Sequence, residues 1–156
     1  GKKENIQNFG TYAVNSLRME KAYKGWGAEL TGEISLVEAG MDRFFNLNKK
    51  SNFIGSKSLR EKLQFGVDIK IVYLEVDVDG ADARGNEPVY YDDKIVGVVT
   101  SGAYGFRVKK SLAFAYVDSK IAKEGNEFLI GIQGQKRKAK VIGSPVYDPE
   151  NKKLKA

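Results

Sequence analysis

The chain has 156 residues, 42% apolar and 29% charged, which suits a folded globular unit able to bury about 70% of its unfolded surface without staples. It has no cysteine and no histidine. That excludes disulfides, thiolate chemistry and cysteine-ligated zinc, and removes the commonest general acid/base and metal ligand. The formal net charge of +6 favours anionic partners, but the basic residues are scattered. The densest run, Lys136, Arg137, Lys138 and Lys140, reads as a solvated edge strand, and Lys152, Lys153 and Lys155 as a charged tail. No stretch approaches the ~20 apolar residues a membrane span needs, and the first residues lack the apolar core of a signal peptide.

In chain order, residues 11–26 read as an amphipathic helix. Tyr12, Ser16, Met19, Tyr23 and Trp26 recur at spacings of four and three on one face, and Gly25 and Gly27 bracket its end. Such a stripe is core packing by default, and Arg18 beside Glu20 a surface pair. Leu36, Val37 and Ala39 before Gly40 suggest a turn or short helix, and Phe44, Phe45 and Leu47 a short strand. After the sharp turn at Phe53-Ile54-Gly55, a helix is expected over 56–65, with Ser56 as N-cap, Leu59 and Leu63 inward and Gly66 as its stop.

Beyond Gly66 the pattern changes. Six runs rich in Val, Ile, Tyr and Phe, at 69–77, 87–91, 95–101, 111–118, 127–133 and 137–143, are separated by Gly, Asp and Asn. Asp92-Asp93-Lys94 makes one tight hairpin, and Gly134 sits in another. The fold class expected is α+β: an incomplete helix/strand module at 1–66, then a six-stranded antiparallel, Greek-key-like β-barrel at 67–156.

Three local patterns invite chemistry. Asp77, Asp79, Gly80 and Asp82 fail the calcium-loop spacing and read as a strand ending in an acidic turn. Gly102-Ala-Tyr-Gly105 lacks a phosphate-loop pattern and reads as a β-turn that approaches a ligand or a neighbouring strand closely. Aromatic and basic residues interleaved along the strands leave open a basic barrel that binds nucleic acid or a protein partner.

Several ordered motifs carry a resemblance. The string NSLRMEKAYKGWGAELTGEISLVEAGM places Leu17, Arg18, Glu20, Tyr23, Gly27, Glu29, Leu30 and Thr31 before Glu38, Ala39, Gly40 and Met41. Phe53-Ile54-Gly55, Glu87-Pro88-Val89-Tyr90, the run Gly97 to Gly102, the run Ser111 to Val117, and Pro145 to Asn151 follow in order. Together they resemble the C-terminal part of the glycine-cleavage T-protein (aminomethyltransferase) family. The closest resemblance is to the branch found in dimethylglycine and sarcosine dehydrogenases and oxidases. That family often has an Arg-Asp pair where this chain has Val14 and Asn15, a departure that points to the dehydrogenase/oxidase branch.

The resemblance implies a parent longer than this chain, whose catalytic aspartate and much of whose pterin pocket lie upstream; residues 1–66 would be the remnant of the folate-binding domain. It implies tetrahydrofolate as cofactor, with FAD only in an upstream domain if the dehydrogenase branch is right. The partners expected are folate and the rest of the parent polypeptide, with no membrane or nucleic acid. The location implied is the bacterial cytoplasm or, in a eukaryote, the mitochondrial matrix. No catalytic or metal residue is expected in this chain, and alone it should be inactive. By position, Tyr23 and Trp26 would wall the folate pocket, Arg18 and Glu20 would orient the folate, and Tyr104 and Arg107 would meet the folate tail.

Overall fold

The computed structural model describes residues 1–143 and 145–156. Two helices, α1 (Thr11–Glu20) and α2 (Ser56–Phe65), precede six strands: β1 (Ile69–Val76), β2 (Pro88–Tyr91), β3 (Lys94–Gly105), β4 (Lys110–Asp118), β5 (Glu127–Ile132) and β6 (Gln135–Ile142). The strands close into an antiparallel barrel in the order β1-β4-β3-β2-β5-β6, with β6 returning to β1. The expected α+β class and six-stranded barrel are therefore present.

Turn chemistry explains the hairpins. Asp92 and Asp93, at φ 47° and 59°, join β2 to β3, and Gln133 and Gly134, at 48° and 77°, join β5 to β6. Both are pairs of positive φ, the geometry whose twist matches antiparallel strands. Alternation then sorts side chains by face. Val72, Leu74, Val76, Val99, Ala113, Ala115, Val117, Phe128 and Ile130 fill the barrel. The intervening Tyr73, Leu112 and Phe114 point outward, yet they too are buried, with Met19 against them. Strand β4 is thus covered on both faces: barrel core inside, α1 outside.

Helix α1 is shorter than the 11–26 expected. Lys21 caps it, and Ala22 turns left-handed at φ 52°. The Ala22 amide donates to the Met19 carbonyl at 3.0 Å and the Tyr23 amide to the Arg18 carbonyl at 2.9 Å. These paired bonds form a Schellman stop, here built on alanine rather than the usual glycine. Ser16, Met19 and Glu20 are buried. Tyr12 and Trp26 are 83% and 81% exposed, so the five-residue stripe does not form one buried face.

Other local expectations shift as well. Asp42–Phe44 is a 3-10 turn rather than part of a strand. Gly55, at φ 88°, precedes α2 in the N-cap position, so Ser56 is already inside the helix; only Leu59 of α2 is buried, and Leu63 is exposed. Gly102 to Gly105 is strand, not a turn, because β3 runs on to pair with β4 as far as Lys110. The close approach expected there does exist: a Cβ on Gly102 would lie 2.3 Å from the Ala83 carbonyl oxygen.

Candidate functional site

The most connected polar group is Glu29, which is fully buried. Its Oε2 accepts from Arg18 Nη1 at 2.9 Å and from the Gly25 amide at 2.7 Å. Its Oε1 accepts from the Thr100 hydroxyl at 2.7 Å and from the Ser101 hydroxyl. Its backbone carbonyl accepts from the Tyr116 hydroxyl at 2.8 Å. Two adjacent strand residues would ordinarily face opposite ways. A β-bulge between Val99 and Ser101 instead lets both hydroxyls reach one carboxylate.

Arg18 spends its guanidinium inside this network. Nε donates to Asn15 Oδ1 at 2.8 Å and Nη1 also reaches the Tyr23 carbonyl at 3.1 Å. The helix end is thereby strapped to the loop carrying Tyr23 and Trp26. Glu20 is also buried, and its Oε1 accepts from the Arg107 amide at 2.7 Å, closing the β3–β4 turn. Gly105 makes room for that carboxylate, since a Cβ there would lie 2.9 Å from Glu20 Cγ. The Tyr73 hydroxyl donates to the Met19 carbonyl at 2.7 Å. Burial, reinforced by the charge on Glu20, pushes the Tyr73 phenol well above its usual range; burial and Glu29 do the same for Tyr116.

The tail folds back onto the same helix end. Lys21 Nζ donates to the Asp148 carbonyl at 2.7 Å and to Asn151 Oδ1 at 2.6 Å, while the Tyr147 amide donates to the Glu20 carbonyl at 3.1 Å. The Tyr-Asp-Pro-Glu-Asn stretch is thus a clasp.

A groove of about 440 Å³ runs between the first turns of α1 and the end of β3. Tyr12, Tyr104 and Phe106 supply aromatic surface, and the Tyr104 and Phe106 rings meet edge-to-face at 5.1 Å. Asn15 and Ser16 form its floor, held by bonds to the Gly102 carbonyl at 3.1 Å and the Tyr104 carbonyl at 2.7 Å. Asp82 and Arg84 line the opposite side, and neither side-chain charge has an ion-pair partner among the described residues.

Of the six residues singled out from the sequence, Tyr104 lines this groove. Arg18 and Glu20 are committed to internal bonds. Tyr23 and Trp26 lie beyond the helix and are exposed. Arg107 is exposed, with its guanidinium 5.1 Å from the Tyr147 ring centroid. Sequence reasoning did not single out Tyr12, Phe106, Asp82 or Arg84 for a common site. The only signal for Asp82 was an acidic turn with failed calcium spacing. Among the described residues no cluster of Asp and Glu is placed to hold a metal ion, and no helix is long and apolar enough to cross a membrane.

Comparison with known proteins agrees with this architecture. The family model described as the glycine cleavage T-protein C-terminal barrel domain matches residues 70–148, and that of the GCVT N-terminal domain matches residues 1–49. Mitochondrial dimethylglycine dehydrogenases of rat and human are each 40% identical over 146 residues, covering 94% of this chain but 17% of theirs. An aminomethyltransferase of Listeria welshimeri is 33% identical over 144 residues, covering 92% of this chain and 40% of its own. The crystal structure of the glycine cleavage system aminomethyltransferase T from Bartonella henselae superposes with a TM-score of 0.81 at 26% identity, over 88% of this chain and 38% of that one. The chain therefore spans less than half the length of these relatives, and by its barrel, its N-terminal match and its sequence it belongs to the glycine cleavage T-protein family.

Proposed function

We propose that this chain is the folate-side, C-terminal part of a tetrahydrofolate-dependent enzyme acting on N-methylated glycines, of the dimethylglycine or sarcosine dehydrogenase/oxidase kind. The observation that carries this reading is the groove beside α1. A pterin needs flat apolar faces and a polar partner for its amide-like edge. Tyr12, Tyr104 and Phe106 offer the first, and the unpaired Asp82 and Arg84 offer the second. These residues fit the cofactor's chemistry. The 40% identity to dimethylglycine dehydrogenases, beside 33% to an aminomethyltransferase, supports the dehydrogenase branch.

Tetrahydrofolate, when bound, would supply the nitrogens that accept a one-carbon unit. The chain's own residues would hold the ring system, exclude water from one side of it and neutralise its charged edges. Arg18 and Glu20 would act indirectly, by fixing α1 against β3 and β4. Tyr23 and Trp26, exposed here, would meet the rest of the parent polypeptide. The alternative reading, a stand-alone aminomethyltransferase, is favoured by the Bartonella henselae superposition. A dinucleotide-binding fingerprint upstream of Gly1 would separate the two.

Titrating the chain with tetrahydrofolate while following the amide NMR signals of Tyr12 and Phe106, which line the groove, and repeating with Tyr104→Ala, tests the assignment. Weak binding that Tyr104→Ala weakens further is expected. Binding that is indifferent to Tyr104→Ala would sink the groove assignment. Salt-dependent binding of oligonucleotides without any response to folate would instead favour a nucleic-acid module.

A further inference from the structure

The loop from β1 to β2, residues 77–87, is held at both ends and against the barrel. The Asp77 amide donates to the Lys138 carbonyl at 2.8 Å, and the Asn86 amide to that of Val99 at 2.7 Å. The Glu87 carboxylate accepts from the Arg84 and Gly85 amides at 2.9 and 2.8 Å. Val78, Ala81 and Ala83 pack against the barrel core. Between these anchors Asp79 and Gly80 are exposed. Among the described residues the Asp79 carboxylate has no hydrogen bond or ion pair, and the Gly80 amide has no acceptor. Gly80 sits at φ 83°, and a Cβ there would meet nothing within 4 Å.

An aspartyl side chain can close a five-membered ring onto the amide nitrogen of the next residue. The closure needs a free carboxyl, a free amide and a following residue with no Cβ to hinder the approach. Asp79-Gly80 is the one Asp-Gly or Asn-Gly step in the chain. The step with the next smallest follower after an aspartate outside the barrel loop, Asp118-Ser119, is tied down. Asp118 Oδ1 accepts from the Lys120 amide at 2.9 Å, and the Ser119 amide donates to the Asp68 carbonyl at 2.9 Å.

We infer that Asp79-Gly80 is a self-modification site, at which the backbone isomerises through a succinimide to an isoaspartyl linkage. With the carboxyl protonated, the Gly80 nitrogen bonds to Asp79 Cγ, and the amide proton leaves with the carboxyl hydroxyl as water. Solvent water then opens the ring. Attack at Cγ restores aspartate. Attack at the Asp79 backbone carbonyl carbon routes the main chain through Cβ and Cγ and leaves a free α-carboxylate. Composition is unchanged and nothing is oxidised or reduced.

The main chain gains one carbon, about 1.5 Å of length. The anchors at Asp77 and Arg84 leave 78–83 to absorb it. Ala83 is buried, and its carbonyl oxygen would lie 2.3 Å from a Cβ on Gly102. Asp82 and Arg84 flank that carbonyl and line one side of the aromatic groove. Isomerisation therefore displaces that side of the groove and leaves the barrel hairpins in place.

The test is incubation of the folded chain at physiological temperature and neutral pH. Tryptic peptide 71–84 is then mapped by electron-transfer fragmentation, which separates aspartyl from isoaspartyl linkages. Isoaspartate is expected at Asp79, forming within about tenfold of its rate in the free 71–84 peptide, because no local opening has to come first. Asp118, in peptide 111–120, should stay unmodified over the same interval. Gly80→Ala should lose the Asp79 signal, and its amide spectrum reports whether the fold is retained. In the incubated chain the amide NMR signals of Ala83 and Gly102 should shift, and those of α2 should not. No isoaspartate at Asp79, formation slower than in the peptide by more than about tenfold, or equal modification of Asp118 would overturn the site. Isoaspartate at Asp79 with Ala83 and Gly102 unshifted would overturn its coupling to the groove.

Discussion

The two faces of α1 differ more than any other adjacent regions of the molecule. Its inner face, with Ser16, Met19 and Glu20, meets saturated partners: every carboxylate oxygen of Glu29, the hydroxyls of Thr100 and Ser101, and the Arg107 amide are engaged. Its outer face shows Val14 and Leu17 to solvent, and Tyr12, Trp26 and Phe106 are exposed near its two ends. The inner residues are explained by this chain alone. The outer ones gain a physical reason only from something that covers them, and the relatives' much greater length indicates what that could be. A helix can be a finished wall on one side and an open one on the other.

The sharpest way to break this contrast is Glu29→Ala. It would take one acceptor from the half-buried Arg18 guanidinium, two hydroxyls and an amide, lowering the unfolding free energy by about 3 kcal/mol in urea denaturation. Loss below about 1 kcal/mol would mean that the hub is replaceable. Next, Met19→Ala empties a fully buried position between α1 and β4 and should cost about 2–5 kcal/mol by the same measurement.

The acid limb of stability comes third. Burial tends to raise the Glu38 pKa, but the hydroxyl and amide of Ser35 and the Lys62 ammonium at 2.9 Å together hold it below its ordinary 4.5. A carboxyl lowered in the folded state adds stability above the unfolded carboxylate range and loses it as pH falls through the folded pKa. Glu38→Gln should therefore flatten the decline of melting temperature below about pH 4.5, the ordinary carboxyl value. An unchanged slope would show that the link between the Ser35 turn and α2 carries none of it. Smallest of all, Trp26→Ala should leave the stability of this chain within about 0.5 kcal/mol, because the ring is open to solvent. A larger loss would move Trp26 to the finished side of the comparison.

What could be read in the sequence follows the range of the interactions. The barrel was legible because strands and hairpins declare themselves locally: β-branched and aromatic runs, then Asp-Asp or Gln-Gly at positive φ. Helix α2 was legible to the residue, although its start is set by the left-handed Gly55 rather than by a Ser56 cap. The end of α1 was not, because an alanine turned left-handed there, and alanine carries no stop signal. The hub was not legible either. Glu29 meets Thr100 and Ser101 across more than seventy positions, through a bulge that no periodicity announces. The family resemblance supplied Arg18 and Glu20 as important residues, but it could not say that their side chains turn inward.

The bulge has a consequence for how β3 tolerates change. Gly97 and Val99 pair with Val117 and Ala115 on the barrel side; after the bulge it is Gly102 that pairs with Ala113 on that side. The strand thus changes phase at Thr100, from odd to even. Deleting Thr100 would leave every other side chain on its own face, at the cost of one hydroxyl. Deleting Val98, two positions earlier, would turn one flank inside out. Thr100 acts as a spare link, a position in β3 at which the chain can lose a residue without rotating its pairing with β4.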